Sequence, residues 1–249
     1  MNDVTQPVSR TVGILAGMGP AAGVDFVRLF VAACESWLRE HGHPVLDQSY
    51  PEHWMAQLPV PDRTLALSDA SAEQPLDAMA RGLRQLASLG ATAIAIPCNT
   101  AHAWHAALQE RVPEVELLHI ASETATDVER RGLARVALLA TEGTYGAGLY
   151  GHAFDALGIQ CLLPDQAARK RLMQGIYDGV KAGDLALAQQ CFTEVGEQLR
   201  AQHGDIALVM ACTEIPLALP QAPAARGWTL IDPTAILANA LARRAYARA

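Results

Sequence analysis

A chain of 249 residues with a net charge of −7 and no run of Lys or Arg is a poor match for nucleic acid or an anionic membrane as partner. Its 51% hydrophobic and 18% charged content excludes a disordered chain and allows one large α/β domain or two of about 100–150 residues each. Charged side chains interrupt every apolar run short of ~18 residues, so no transmembrane helix is expected.

The opening stretch, Met1-Asn2-Asp3-Val4-Thr5-Gln6-Pro7, has neither a basic nor an apolar segment, so it reads as a short frayed tail without a secretory signal. Residues 11–16 form an apolar strand, Gly17-Met18-Gly19-Pro20 a tight turn, and residues 22–38 an amphipathic helix with Pro20 in its first turn. Its spacing is neither that of a dinucleotide fingerprint nor that of a P-loop. A loop at residues 41–44, a strand within 45–58 and a loop at 59–64 follow. Residues 71–89 read as a helix closed by Gly90. Strand 92–96 and helix 101–111 flank Cys98; strand 116–120 and a helix from Ser122 to Arg131, capped by Ser122, come next. The pattern then restarts: strand 135–140, a turn at 141–146, a helix ending near Leu157 and strand 158–162. Helices 165–181 and 184–202, broken at Gly183, lead to strand 206–210. Strand 229–232 and a helix opened by Pro233 and reaching Tyr246 close the chain.

Val12-Gly13-Ile14-Leu15 and Val136-Ala137-Leu138-Leu139 each precede a glycine-containing turn and a helix, which reads as a duplicated α/β unit. Each copy ends a later strand in a cysteine: Pro97-Cys98-Asn99-Thr100 in one, Ala211-Cys212-Thr213-Glu214 in the other. The carboxyl ends of parallel strands are where such sheets bind ligands. A cysteine there, facing the positive end of a following helix, is expected to favour thiolate.

Five cysteines without a secretory signal fit free thiols in a reducing, cytoplasmic setting. Cys34, Cys161 and Cys191 read as buried apolar residues. Cys98 and Cys212 stand beside polar neighbours and could form a redox disulfide, share a metal or act as an acid/base pair. The absence of C-x-x-C weakens the first two. His102 and His105, one helical turn apart, are the hint of a metal, and none is assigned; His119 reads as structural. An acid/base pair is the more specific idea, because inverting a stereocentre needs one group to remove a proton and another to return one on the opposite face. Cysteine, with a free pKa near 8.5, suits both tasks. Asn99, Thr100 and Thr213, with nearby amides, can hold a carboxylate and stabilise developing charge. The chain has only two lysines, Lys170 and Lys181, and neither lies in a phosphate cup such as a pyridoxal-phosphate enzyme needs.

Gly17-Met18-Gly19-Pro20, Pro61-Asp62-Arg63-Thr64, Pro97-Cys98-Asn99-Thr100-Ala101-His102, Thr141-Glu142-Gly143-Thr144 and Ala211-Cys212-Thr213-Glu214-Ile215-Pro216-Leu217 occur in the order of the aspartate/glutamate racemase family. Nearly the whole chain resembles that family, on the side of its aspartate-acting branch. The resemblance implies two similar three-layer αβα domains with largely parallel sheets, related by a pseudo-twofold axis, with an active site in the cleft between them. Residues 1–121 plus 230–249 would form the first domain, with the C-terminal helix packing back, and 122–229 the second. It also implies cofactor-independent racemisation of aspartate or a related acidic amino acid in both directions, with Cys98 and Cys212 as the two bases, and a homodimer.

Arg63 and Lys181 match the family's grip on the side-chain carboxylate, a role for which Arg has a planar fork of donors. Against this stand plain readings: Arg63 as a surface charge, Lys181 as a solvent-facing helix end. Glu214 is either an acid in a helix's first turn or a residue that orients substrate. Met18, Gln57, Thr141 and Thr144 complete the expected substrate-binding set; Gln57 comes from a stretch, residues 50–57, that matches the family less well. The competing readings are another cofactor-free enzyme of this scaffold (glutamate or hydantoin racemase, maleate isomerase, decarboxylase) and a non-catalytic amino-acid-binding protein.

Overall fold

A computed structural model describes residues 7–247; the sequence reading of residues 1–6 falls outside it. In chain order the elements are β1 (Val12–Ala16), α1 (Pro20–Glu40), β2 (His53–Gln57), α2 (Arg63–Ser68), α3 (Leu76–Ser88), β3 (Ala93–Ala95), α4 (His105–Arg111), β4 (Glu116–Leu117) and α5 (Ile120–Arg130). They continue with β5 (Arg135–Ala140), α6 (Glu142–Gly146), α7 (Leu149–Asp155), β6 (Gln160–Leu162), α8 (Gln166–Gln174), α9 (Leu185–His203), β7 (Ala207–Ala211), β8 (Leu230–Ile231) and α10 (Pro233–Tyr246).

The strands form two four-stranded sheets, β2-β1-β3-β4 and β6-β5-β7-β8, with every neighbouring pair parallel. Renumbered within its own copy, each sheet has the same order. The fold is α/β with a repeated sheet, as the duplicated pattern implied. Val12 is paired with both His53 and Ala93, and Val136 with both Cys161 and Ala207, so the restart of the sequence pattern falls on corresponding central strands.

The central strands are buried on both faces, which explains why they read as unbroken apolar runs. Side chains alternate across the first sheet. Val12, Ile14, Ala16, Ala93 and Ala95 join Phe26, Phe30 and Cys34 of α1 and Leu237 and Leu241 of α10. Leu15, Ile94 and Ile96 join Met79, Leu83 and Leu86 of α3 and Leu108 of α4. Phe26 and Phe30 are fully buried, contributing ~1.5–3 kcal/mol each by removal from water. In the second sheet Ala137, Leu139, Leu208 and Met210 pack on Leu172 of α8 and on Cys191, Phe192, Val195 and Leu199 of α9.

The chain divides into two compact units. One runs to Asp62, resumes over Glu73–Ile120 and takes in the C-terminal segment from Thr234; the other holds Arg63–Ala72 and Ala121–Pro233. Within the first unit α10 is tied down by a hydrogen bond from the Tyr246 hydroxyl to the Ser49 carbonyl (3.0 Å) and by Trp37 stacked on Tyr246. The segment 63–72 groups with the second unit, where the sequence reading had kept it in the first. Its helix α2 packs on α6, where Gly143 and Gly146 leave a hollow of about 230 Å³ against Thr64, Leu67 and Ser68.

Several expected boundaries move for local reasons. Arg63–Ser68 is a helix rather than a loop, and α3 starts at Leu76 rather than 71. Between them the Asp69 carboxylate accepts from both the amide and the hydroxyl of Ser71, a turn that competes with helix. Helix α5 begins at Ile120, two residues before its expected Ser122 cap. The single helix expected before Leu157 is split into α6 and α7 at Gly148, which has φ of 63°. Among the described residues no helix is long and apolar enough to cross a membrane.

Candidate active site

In each sheet the chain leaves the first strand for one neighbour and returns to the other side, so the carboxyl ends of β1 and β3, and of β5 and β7, are switch points where ligands bind. In the first unit those ends deliver Met18 on one side and Cys98, Asn99 and Thr100 on the other. All four are buried, with Cys98 6% exposed. Gly17 turns the chain after β1 at φ 104°, and a Cβ there would lie 2.0 Å from the Leu58 carbonyl oxygen, so only glycine fits. Gln57, at the end of β2, is exposed, and its Oε1 lies close over Gly23 of α1.

Behind Cys98 stands a histidine cluster. The His102 Nε2–H donates to the Ile96 carbonyl (3.1 Å) and the His105 Nε2–H to the Leu117 carbonyl (2.7 Å). The His119 ring lies 5.1 Å from His102 and 4.7 Å from His105. Burial, with a smaller contribution from His119, holds His102 well below the usual histidine range, and burial pushes His119 down to about 4. Burial therefore keeps His102 and His119 neutral at pH 7, while His102 and His105 brace the strand ends through backbone carbonyls. Among the described residues no group of three or more His, Cys, Asp or Glu is arranged to hold a metal ion.

In the second unit β5 delivers Thr141, whose Oγ1 caps α6 by accepting the Thr144 amide (3.2 Å) and also contacts the Thr144 hydroxyl (3.1 Å). From β7 come Cys212, Thr213 and Glu214, all buried. The Cys212 thiol donates to Glu214 Oε2 at 3.0 Å, and the Thr213 hydroxyl donates to the same oxygen at 3.2 Å. Glu214 Oε1 lies 4.0 Å from Lys181 Nζ. Burial first, then the Glu214 carboxylate, pushes the Cys212 thiol well above its usual range; Lys181 pulls weakly the other way.

That corrects the expectation of a thiolate favoured by a helix dipole. Neither cysteine starts an α-helix. A 3₁₀ turn, Thr100–Trp104, separates Cys98 from α4. Three short 3₁₀ turns, Ile215–Leu217, Leu219–Gln221 and Pro223–Ala225, follow Cys212. Pro216, Pro220 and Pro223 each remove an amide and block a continuous helix. The reading of Glu214 as an acid in a helix's first turn fails with it.

Lys181 was expected at the end of a helix over 165–181. Instead α8, capped by the Asp165 side chain on the Ala168 amide, stops at Gln174, widens into a π-helical turn over Gly175–Gly179 and ends in a 3₁₀ turn, Val180–Ala182. Such widened turns are frequent at functional sites. Here the turn brings Lys181 Nζ to 4.4 Å above the Tyr177 ring as well as to Glu214. Tyr177 was missed by the sequence reading; its signal was the four-residue spacing from Lys181. The structure thus brings together Cys212, Thr213, Glu214 and Lys181. Arg63 opens α2 and belongs to this same unit.

Two parallel sheets of identical order, each presenting a buried cysteine beside polar groups at its switch point, define an α/β protein built for chemistry on a small polar molecule. The model of the Asp/Glu/hydantoin racemase family matches residues 15–241, and the chain belongs to that family. An aspartate racemase of Picrophilus torridus superposes with a TM-score of 0.77 at 30% identity, covering 93% of this chain and 92% of that one. The broad specificity amino-acid racemase RacX of Bacillus subtilis (strain 168) is 27% identical over 212 residues, 82% of this chain and 85% of RacX. A glutamate racemase of Desulforudis audaxviator (strain MP104C) is 34% identical over 151 residues, 59% of this chain and 53% of that protein. The protein is accordingly an amino-acid racemase of the Asp/Glu family.

Proposed function

We propose that the chain racemises aspartate without a cofactor, using Cys98 and Cys212 as its two proton carriers. The supporting observation is that each cysteine occupies the same place in its own copy of the repeat, at the carboxyl end of the third strand. A thiolate takes the α-proton and becomes a thiol; the other thiol gives its proton to the opposite face of the carbanion and becomes a thiolate. No electrons leave or enter. The α-hydrogen of an amino acid is a very weak acid, so the carbanionic state needs fixed donors. Asn99, Thr100, Thr141, Thr144 and Thr213 are assigned to the α-carboxylate and Arg63 to the side-chain carboxylate; Met18 and Gln57 remain in the proposed binding set.

A wider substrate range is the second reading, favoured by one contact. Lys181 faces Glu214 at 4.0 Å, so part of its charge is already balanced inside the protein. Fewer uncompensated cations are then left to demand an acidic side chain. The test is exchange of the α-hydrogen for deuterium in heavy water, with L- and D-enantiomers of aspartate, glutamate and alanine. Exchange and racemisation of aspartate, lost in Cys98→Ser and Cys212→Ser, are expected. Exchange of alanine as fast as aspartate moves the assignment to the wider range, and no exchange of any substrate removes the racemase mechanism proposed here.

A further inference from the structure

We propose that Glu214 is a positioning residue that keeps Cys212 in its protonated, proton-donating form in the free enzyme. On the two-thiol reading above, Cys98 is then the group that takes the α-proton; the role of Glu214 itself rests on geometry within one unit.

Three groups converge on the Glu214 carboxylate, and all of them are donors: the Cys212 thiol at 3.0 Å, the Thr213 hydroxyl at 3.2 Å and the Lys181 ammonium at 4.0 Å. An ionised carboxylate accepts only, so this set of partners describes Glu214 charged and Cys212 carrying its hydrogen. Both side chains are almost fully buried, Cys212 6% and Glu214 6% exposed, so water does little to screen them. Were Cys212 ionised as well, its sulfur would face an oxygen of like charge at the same 3.0 Å. Two anionic groups sharing a site hold one proton between them, as paired carboxylates do.

The surroundings do not undo this. Lys181, from the turn after α8, is the cation that acts on Cys212. It reaches the carboxylate rather than the sulfur in its ion pair and stands over Tyr177. Tyr150 of α7 also interacts with Cys212, but burial keeps that phenol protonated, and Thr124 hydrogen-bonds it; Asp232, just beyond β8, acts on Tyr150. Cys98 has no residue corresponding to Glu214: Thr100 stands two positions after it, where Glu214 stands two after Cys212.

In the turnover that follows, Cys98 takes the α-proton and the Cys212 S–H bond breaks to supply the opposite face. The resulting Cys212 thiolate, beside Glu214, recovers a proton from water while Cys98 returns one, restoring the free enzyme with no net change. Glu214 is hydrogen-bonded to the thiol, so its effect is on where the proton rests.

The test is alkylation of the full-length chain by iodoacetamide across a pH series, without substrate, read cysteine by cysteine by peptide mass spectrometry. Cys98 and Cys212 are equally exposed, 6% each, so one serves as the reference for the other. In the unaltered protein the alkylation midpoint of Cys212 is expected at least one pH unit above that of Cys98; an equal or lower midpoint overturns the proposal. In Glu214→Gln the Cys212 midpoint is expected to fall by half a unit or more, and a smaller or upward change overturns it. Alkylation needs no turnover. A shifted midpoint without deuterium exchange at any amino acid would leave the role of Glu214 standing and remove the racemase mechanism; exchange with an unshifted midpoint would do the reverse.

Discussion

Replacing Gly179 with alanine tests whether the π-helical turn that presents Lys181 is wedged against α9. A Cβ built at Gly179 would lie 2.8 Å from the Ala188 Cβ, 2.9 Å from its Cα and 3.0 Å from its nitrogen. Carbon atoms at rest sit ~3.5–4.0 Å apart, so the turn and the helix must separate by most of an ångström. Two of the three obstructing atoms are backbone and cannot swing aside. Overpacking of this kind costs about 1–3 kcal/mol, which lowers the thermal midpoint of a chain this size by about 2–12 °C. The same displacement draws Lys181 away from Glu214, so the ion pair weakens along with the packing. Thermal unfolding followed by circular dichroism reads the first effect, and steady-state kinetics with aspartate reads the second as a changed kcat or KM. Gly151→Ala is the control: it lies inside α7 with nothing within 4 Å, and the change is expected to be neutral or mildly stabilising. If Gly179→Ala melts within about 1 °C of the unaltered protein and of Gly151→Ala, the wedge does not exist and Lys181 is positioned by something else.

Thr141→Ala removes the hydroxyl that accepts the Thr144 amide at the start of α6, and should cost about 1 kcal/mol in urea unfolding. Thr141→Ser keeps the acceptor and should recover most of it; equal losses in both would show that the cap contributes nothing. The histidine cluster makes stability fall with acid. The folded state holds His119 down at about 4, below the ordinary 6.5, so the unfolded chain binds a proton that the folded chain refuses. Stability is therefore full above pH 6.5 and declines through the window down to 4. From about pH 7 to 4.5 His119 contributes a loss of about 2 kcal/mol, allowing for its partial exposure. Urea midpoints at the two pH values should differ less in His119→Gln than in the unaltered protein, and an equally steep decline would refute the attribution.

Much of the architecture was legible because the central strands are buried on both faces, and Val12–Ala16, Arg135–Ala140 and Ala207–Ala211 therefore stand out as apolar runs. The cysteines at the strand ends were visible for the same reason: each interrupts such a run with a polar cluster. What escaped were features decided by packing or local hydrogen bonds. Helix α2 hides in a segment rich in Pro, Asp and Ser, because it is completed by packing on α6 rather than by its own pattern. The π-helical turn at Gly175–Gly179 looks like plain helix, since the reason for it is close approach to α9, where Phe192 and Ala188 leave no room for side chains. No α-helix follows Cys212, because Pro216, Pro220 and Pro223 break the segment into 3₁₀ turns, a signal already present in the sequence.

The repeat is regular in its strands and divergent at its strand ends, and that contrast bears on chemistry. Strand order and pairing are set by burial of apolar surface, which both copies satisfy in the same way. The end of β3 is followed by a 3₁₀ turn and a histidine cluster bound to backbone carbonyls. The end of β7 is followed by proline-broken turns and a carboxyl group bound to the thiol. The cluster behind Cys98 is tied to backbone carbonyls, whereas a carboxyl group stands at hydrogen-bond distance from the Cys212 thiol. Two thiols of the same chemical type are thereby made unequal by what surrounds them. A racemase acting through two thiols needs one sulfur that starts each turnover without its hydrogen and another that starts with it, and the Glu214 contact favours the second state at Cys212.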